Sequence, residues 1–405
     1  MRRNRAIFVE YFNKIFNLGD ELAKILKGGY TTGACAAAGV KAALIFITSK
    51  IIVDFVEITA LDGTILTIPI KNVKVSQSNN IELIVVEVVK DSGDDPDITN
   101  GTSVLTSVKS IEGDEVVFKA GEGVGTVTKS GLTVPVGEPA INPGPRQLIK
   151  NVIKEFYTEP VGFEVKISIP AGVELSKKTL NPVLGVEGGL SVIGTTGVLR
   201  PMSEEAFKKS LVPQIDVALA AGFDSLIFVP GKIGEVAALK LGLPKDAIVE
   251  TSNFIGYMLE AAAEREVRNI LLLGHIGKLA KVAAGVFYTH NRIADGRLET
   301  IAAYAAAEGL GYKAVKQILN SNTTEEAVRI IDENGFERVY DKIAKRASTR
   351  AYRYIFGKVY VGTILIDRDN DILGKDKFAD EILKYLWSKG DILCNQNNLE
   401  GRNLL

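Results

Sequence analysis

Apolar residues change their spacing twice along this chain. At the start, Ile7, Phe8, Tyr11, Phe12, Ile15 and Phe16 recur at helical spacing. That pattern predicts an amphipathic helix that docks on the protein or on a second subunit. Short β-branched runs follow, and they predict strands at Ile51–Ile58, Ile65–Ile70, Ile81–Val89 and Glu115–Lys119. Phe163–Ile169 alternates apolar and polar residues, as a half-buried strand does. Two helices are expected among them, Thr32–Phe46 and one opening at Pro145, where proline suits the first turn.

Beyond about residue 186 the rhythm becomes strand then helix. Short buried-type runs at Leu190–Ile193, Ser225–Val229, Ala247–Val249 and Ile270–Leu273 are each followed by a helical stretch. Those stretches are Glu204–Ala221, Ile233–Leu241, Phe254–Arg265 and Gly277–Phe287. Strands alternating with helices imply βαβ units and a parallel sheet. Helices dominate Ala294–Phe356, one of them opening on the capping-box pair Thr323 and Glu326. Val359–Asp367 reads as a strand returning to the sheet, and the tail from Asp391 as polar and prone to fray. The expected fold is therefore α/β in two parts. A helical extension covers 1–28, a mixed α+β domain 29–185, and a Rossmann-like parallel-sheet domain with a helical insertion 186–370. A C-terminal helix and tail cover 371–405.

Composition narrows the function. With 46% hydrophobic and 24% charged residues, the 405-residue chain has a globular balance. A net charge of -1 argues against a nucleic-acid binder, which carries a basic excess. Cys35 and Cys394 form no C-x-x-C, so neither a zinc site nor a disulfide framework is suggested. No apolar run is expected to reach the roughly 18 residues of a membrane span. The first residues lack a signal-peptide cleavage pattern, because Glu10, Asn13 and Lys14 break the apolar stretch. A cytoplasmic protein is the expectation, with no membrane and with a homo-oligomer left open.

Ligands of open parallel sheets bind beyond the carboxyl ends of the strands. Four turns are expected there: Gly194-Thr195-Thr196-Gly197, Pro230-Gly231-Lys232-Ile233-Gly234, Glu250-Thr251-Ser252-Asn253 and Gly274-His275-Ile276-Gly277-Lys278. Their glycines admit a close backbone, and the helix starts offer N–H groups to negative oxygens. None matches G-x-G-x-x-G or a P-loop. His275 and Lys278, one helical turn apart, are the catalytic candidates; Gly194, Thr195, Thr196, Gly197 and Glu250 are the candidates for holding a nucleotide-like cofactor. His275 has a plainer reading as a helix cap, and His290 as a loop residue. In the first part, Thr31, Thr32 and Gly33 open an Ala-rich helix and would suit a substrate carboxylate, unless they are capping alone. Asp91, Asp94 and Asp95 stand in a four-carboxylate turn that would suit a cationic sulfonium or hydroxyl groups, unless it is only solvated. His290 and Arg297 complete the substrate-binding candidates. Two histidines without H-E-x-x-H give no metal site.

Taken together, several strings resemble one family, the CbiD cobalt-precorrin-5B (C1)-methyltransferases of anaerobic cobalamin synthesis. They are Gly29-Tyr30-Thr31-Thr32-Gly33, Val89 to Asp97, Gly123 to Lys129, Pro135 to Pro143, Gly189 to Gly197, and Gly274 through His290 to Arg297. The resemblance spans about 28 to 300. It implies methyl transfer from S-adenosylmethionine to ring carbon C1 of a cobalt-bearing tetrapyrrole, with no protein-bound metal and a fold unlike the pathway's other methyltransferases. The site residues above rest on the physical reading of the motifs. The tetrapyrrole is expected between the two parts. Two rival readings remain: a nicotinamide-dependent reductase of a corrin precursor, and a non-catalytic corrinoid carrier.

Overall fold

The computed structural model describes residues 26–78, 81–201 and 203–402. The amphipathic helix expected over the first residues lies outside them, apart from 26–28, which are neither helix nor strand. The chain divides into two compact units of mixed α/β structure. Among the described residues, the first holds those of 26–127, 137–182 and 186–203; the second holds those of 128–136, 183–185 and 204–402.

The first unit is organised by helix α1 (Thr32–Ser49). Its alanines favour helix, and Thr31 caps it by accepting from the Ala34 N–H at 3.2 Å. It ends at Lys50, whose left-handed φ of 58° turns the chain while its N–H bonds Phe46. Two strands follow as an antiparallel hairpin, β1 (Phe55–Thr59) and β2 (Ile65–Pro69). The main sheet contains β3 (Asn72–Ser78), β4 (Ile81–Val89), β5 (Ser103–Ser110), β6 (Val116–Ala120) and, after helix α2 (Pro143–Phe156), β7 (Phe163–Ser168). Its order is β3-β4-β5-β7-β6, antiparallel except for β7 with β6. Helix α1 packs on β4, β5 and α2. Gly39 permits the approach, because an added Cβ would lie 2.7 Å from the Thr106 hydroxyl of β5. Helix α2 starts at Pro143, two residues before the expected Pro145; both prolines fit because neither first-turn N–H has an intrahelical partner.

Eighteen residues of α1 reach a mean hydropathy of 1.5, the length and composition of a membrane span, which corrects the expectation that no stretch does so. The helix is instead the centre of the unit's core, with Ala34–Ala38 fully buried.

A second correction concerns residues 186–203. They were expected to open the parallel sheet, yet they belong to the first unit. Gly189–Leu190 pairs in parallel with Gly123–Val124, and Val198–Leu199 pairs with Gly29–Tyr30. Leu190 and Val192 are buried in the same core as α1 and α2. The boundary therefore falls near 203/204, not 185/186.

The second unit opens with α3 (Glu204–Leu211) and α4 (Pro213–Ala220), a pair in place of the single helix expected, broken where Pro213 removes an N–H. Its sheet is laid down by β8 (Ser225–Val229), α5 (Lys232–Lys240), β9 (Ile248–Glu250), α6 (Ile255–Glu264), β10 (Asn269–His275) and α7 (Ile276–Ala284). A helical insertion follows: α8 (Arg297–Ala307), α9 (Tyr312–Leu319), α10 (Thr324–Glu333) and α11 (Arg338–Tyr354). The chain returns through β11 (Tyr360–Ile366) and β12 (Ile372–Lys375) to α12 (Lys377–Arg402), which stays helical past Asp391, where a fraying tail was expected. The strand order is β9-β8-β10-β11-β12. The first four are parallel and β12 is antiparallel, so the sheet is mixed rather than purely parallel. Strand β8 is buried at every residue, which explains its uninterrupted apolar run.

Candidate active site

In the second unit the direction of winding reverses between β8 and β10: the chain goes from β8 outward to β9, then crosses back to β10. Such a switch point leaves a crevice beyond the strand ends. Gly231 stands there with φ 148°, a conformation that favours glycine, and starts α5. Three residues on, Gly234 brings α5 against β10; an added Cβ would lie 2.6 Å from the Leu273 carbonyl oxygen. On the other side of the reversal, Lys278 of α7 donates to the Pro230 carbonyl. Burial lowers the Lys278 pKa from its ordinary value, and the nearby Glu250 carboxylate opposes that fall.

Glu250 ends β9. Its backbone is clamped by the buried Gln214 side chain, which accepts from its N–H at 2.9 Å and donates to its carbonyl at 3.2 Å. Among the described residues its carboxylate has no hydrogen-bond or ion-pair partner. Glu250 thus combines a fixed backbone with an uncommitted carboxylate, nineteen residues after Gly231.

His275 is differently occupied. Its Nδ1 accepts from the Gly277 N–H at 3.1 Å, so it caps α7. Nε2 lies 3.1 Å from Glu325 Oε1 without hydrogen-bond alignment, and Arg368 approaches the same oxygen at 2.6 Å. Burial lowers the imidazole pKa despite Glu325. With the Nδ1 lone pair taken by the Gly277 N–H, a neutral ring carries its proton on Nε2 and has no free lone pair, so in this geometry His275 serves as the cap of α7.

The first-unit candidates come together, but through their backbones. Thr31 donates its N–H to Gly197, and Gly33 donates to Ile193, both at 3.0 Å. The Thr32 hydroxyl bridges the Ile193 N–H and carbonyl. Gly194, at φ 139°, faces Thr31, and the Thr196 carbonyl accepts from Leu61. Thr195 is exposed. These contacts consume the N–H groups that were expected to meet a carboxylate. They also remove Gly194, Thr195, Thr196 and Gly197 from the parallel sheet's edge, where the cofactor reading had put them beside Glu250.

The acidic turn is similarly committed. Asp91 pairs with Lys27 and accepts from the Gly93 N–H, both at 2.8 Å; Asp94 accepts from the Lys27 N–H. Asp97 binds the buried Lys90 at 2.8 Å and also accepts from Thr99. Asp95 is half-buried between exposed Asp94 and Pro96. Cys35 is fully buried and its thiol is pushed up to about 12, so it is no nucleophile. Among the described residues no group of three or more His, Cys, Asp or Glu could hold a metal ion.

The remaining candidates lie on the segment after α7. His290 is exposed and its Nδ1 accepts from the Arg292 N–H at 3.2 Å. Arg297 starts α8, its Nε 3.2 Å from Asp295. Lys281, outside the candidate list, is only 1% exposed and ties this segment to α7, donating to the Thr289 carbonyl at 3.1 Å and to Asn291. Gly231, at the start of α5, was not among the candidates taken from the sequence. The signal was available in Gly231-x-x-Gly234 followed by Glu250, but no first glycine completed the dinucleotide pattern.

Fold and geometry thus define an α/β protein whose second unit has an open mixed sheet with a switch point between β8 and β10. The chain belongs to the CbiD family. The family profile CbiD matches residues 20–201, ending near the unit boundary, and the profile CbiD, C-terminal domain, matches 288–377. A relative from Moorella thermoacetica, named cobalt-precorrin-5B C(1)-methyltransferase, is 48% identical, covering 88% of this chain and 97% of the relative. Another of that name from Methanocaldococcus jannaschii is 46% identical, covering 91% and 99%. A crystal structure of the cobalamin biosynthesis protein CbiD from Archaeoglobus fulgidus is 25% identical, covering 70% of this chain and 85% of that one, with a TM-score of 0.33.

Proposed function

We propose that this chain methylates ring carbon C1 of cobalt-precorrin-5B with S-adenosylmethionine, giving cobalt-precorrin-6A in anaerobic cobalamin biosynthesis. The observation that carries this reading is the 46–48% identity, over nearly their whole length, to relatives named for that reaction. The second unit is read as Rossmann-like, with the methyl donor in the crevice between β8 and β10. Gly231 leaves room for the donor, Glu250 takes its ribose hydroxyls, and Lys278, whose Nζ lies 3.8 Å from where a Cβ on Gly231 would stand, takes its carboxylate. The fit rests on the uncommitted Glu250 carboxylate and on the open backbone at Gly231, not on Gly194–Gly197. The acceptor is a small-molecule tetrapyrrole, and its cobalt arrives with it. The work is that of a cytoplasmic biosynthetic enzyme.

Methyl transfer from a sulfonium is an in-line displacement: the ring carbon forms a bond to the methyl group as the carbon–sulfur bond breaks, and S-adenosylhomocysteine leaves. The protein's contribution is to orient both partners and exclude water. Titration of the full chain with S-adenosylhomocysteine and, separately, NADPH tests the donor assignment. Binding of the first alone is expected; binding of NADPH alone would favour a reductase.

A further inference from the structure

In the second unit, three aromatic rings from separate elements form a row. Phe207 of α3 meets Phe254 edge-on at 5.8 Å, and Phe254 stacks on Tyr288 at 4.9 Å. Phe207 is 51% exposed, and Phe254 and Tyr288 are partly so. Phe254 follows Glu250 by four residues, so the row adjoins the end of β9. Its position is fixed: Phe254 bridges to Tyr288, Thr289 donates to the Asn253 carbonyl at 2.9 Å, and buried Lys281 holds Thr289 and Asn291 from beneath. At its rim the Tyr288 hydroxyl donates to Glu204 at 2.8 Å. The Arg292 side chain, 79% exposed, reaches the same carboxylate only at 3.9 Å. An ion pair so open and so long is weak, and the guanidinium is available to another carboxylate.

We infer that Phe207, Phe254 and Tyr288 form the apolar seat for the face of a planar tetrapyrrole, and that Arg292 binds one of its peripheral carboxylates. The inference rests on the functional reading above and extends it to the acceptor. Exposed aromatic surface alone would suit many partners. A cation at its rim, a polycarboxylate ring as the expected acceptor, and a donor crevice at the adjoining strand end select this one. The seat is built before the ligand arrives, because the Lys281 contacts hold the segment without it.

The test uses the full chain and two stable corrins: cobyrinic acid, with free peripheral carboxylates, and cobinamide, in which they are amides. Phe207→Ala, on an exposed ring, should weaken both corrins by about tenfold, the upper end for one aromatic contact. Arg292→Gln should weaken cobyrinic acid several-fold and leave cobinamide unchanged. Phe378→Ala, at an aromatic ring 43% exposed elsewhere in the unit, should change neither. S-adenosylhomocysteine affinity should be that of the wild type in all three. Wild-type affinity for cobyrinic acid in both Phe207→Ala and Arg292→Gln, with the wild type still methylating its precursor, overturns the seat and leaves the function intact. A wild type that binds neither corrin and transfers no methyl group overturns the function and the seat with it.

Discussion

At Gly194 an added Cβ would lie 2.2 Å from the Thr31 hydroxyl, on a backbone whose φ of 139° already suits only glycine. Gly194→Val should therefore lower stability by at least the ~1–3 kcal/mol of such strain, while the folded fraction keeps its affinity for S-adenosylhomocysteine. A melting curve paired with titration checks this; lost affinity at an unchanged melting temperature would return the donor to that turn. Glu250→Gln should behave in the opposite way. It removes the charge from an unpaired carboxylate, so the fold should hold while donor affinity falls about tenfold. His275 makes a prediction in pH. Burial holds its pKa below the ordinary 6.5, so the unfolded chain binds a proton more readily. Stability should be full above pH 6.5 and fall as the pH drops below it, before most carboxylates titrate. In His275→Gln that decline should flatten, as urea unfolding at several pH values would measure. An unchanged slope would mean that another group supplies it. The glycines and hydroxyls were legible as special residues, but their partner was not. Whether Thr31 meets a ligand or Gly194 depends on a contact 163 residues away in the chain.

Among the elements, Gly234 sets how closely α5 lies against β10. Gly234→Val should push the helix from the strand, lowering both donor affinity and melting temperature; a variant with neither change would show that the crevice tolerates a shifted α5. The buried strands of the second unit were readable from their apolar runs, and α10 from its cap, where Thr323 accepts from the Glu326 N–H and Glu326 reaches back to Asn322. Strand β5 was missed because Thr106 occupies one of its buried positions, fully covered among Val104 and Val108. Strand β3 was missed because it is a polar edge, carrying Asn72, Lys74 and Ser76. Leu190–Ile193 was read as a strand of the parallel sheet, whereas the strand observed is Gly189–Leu190, in the first unit. Two residues carry no register of their own, and their partner, Gly123–Val124, comes from far earlier in the chain.

For the molecule as a whole, the strings that resemble CbiD divide by role. Those around Thr31, Asp91 and Gly194 fasten the first unit to itself. The chemistry proposed for the donor gathers instead at the strand ends of the second, at Gly231, Glu250 and Lys278. A family was therefore legible in the sequence before its site was, since recurring strings mark folding constraints as readily as chemistry. The direct measurement is to incubate the protein with cobalt-precorrin-5B and S-adenosylmethionine carrying a labelled methyl group, then locate the label by NMR. One label at C1 per turnover, with S-adenosylhomocysteine released and no need for NADPH, is the predicted result. Absence of label from the ring, label at another carbon, or a product formed only with NADPH would contradict it.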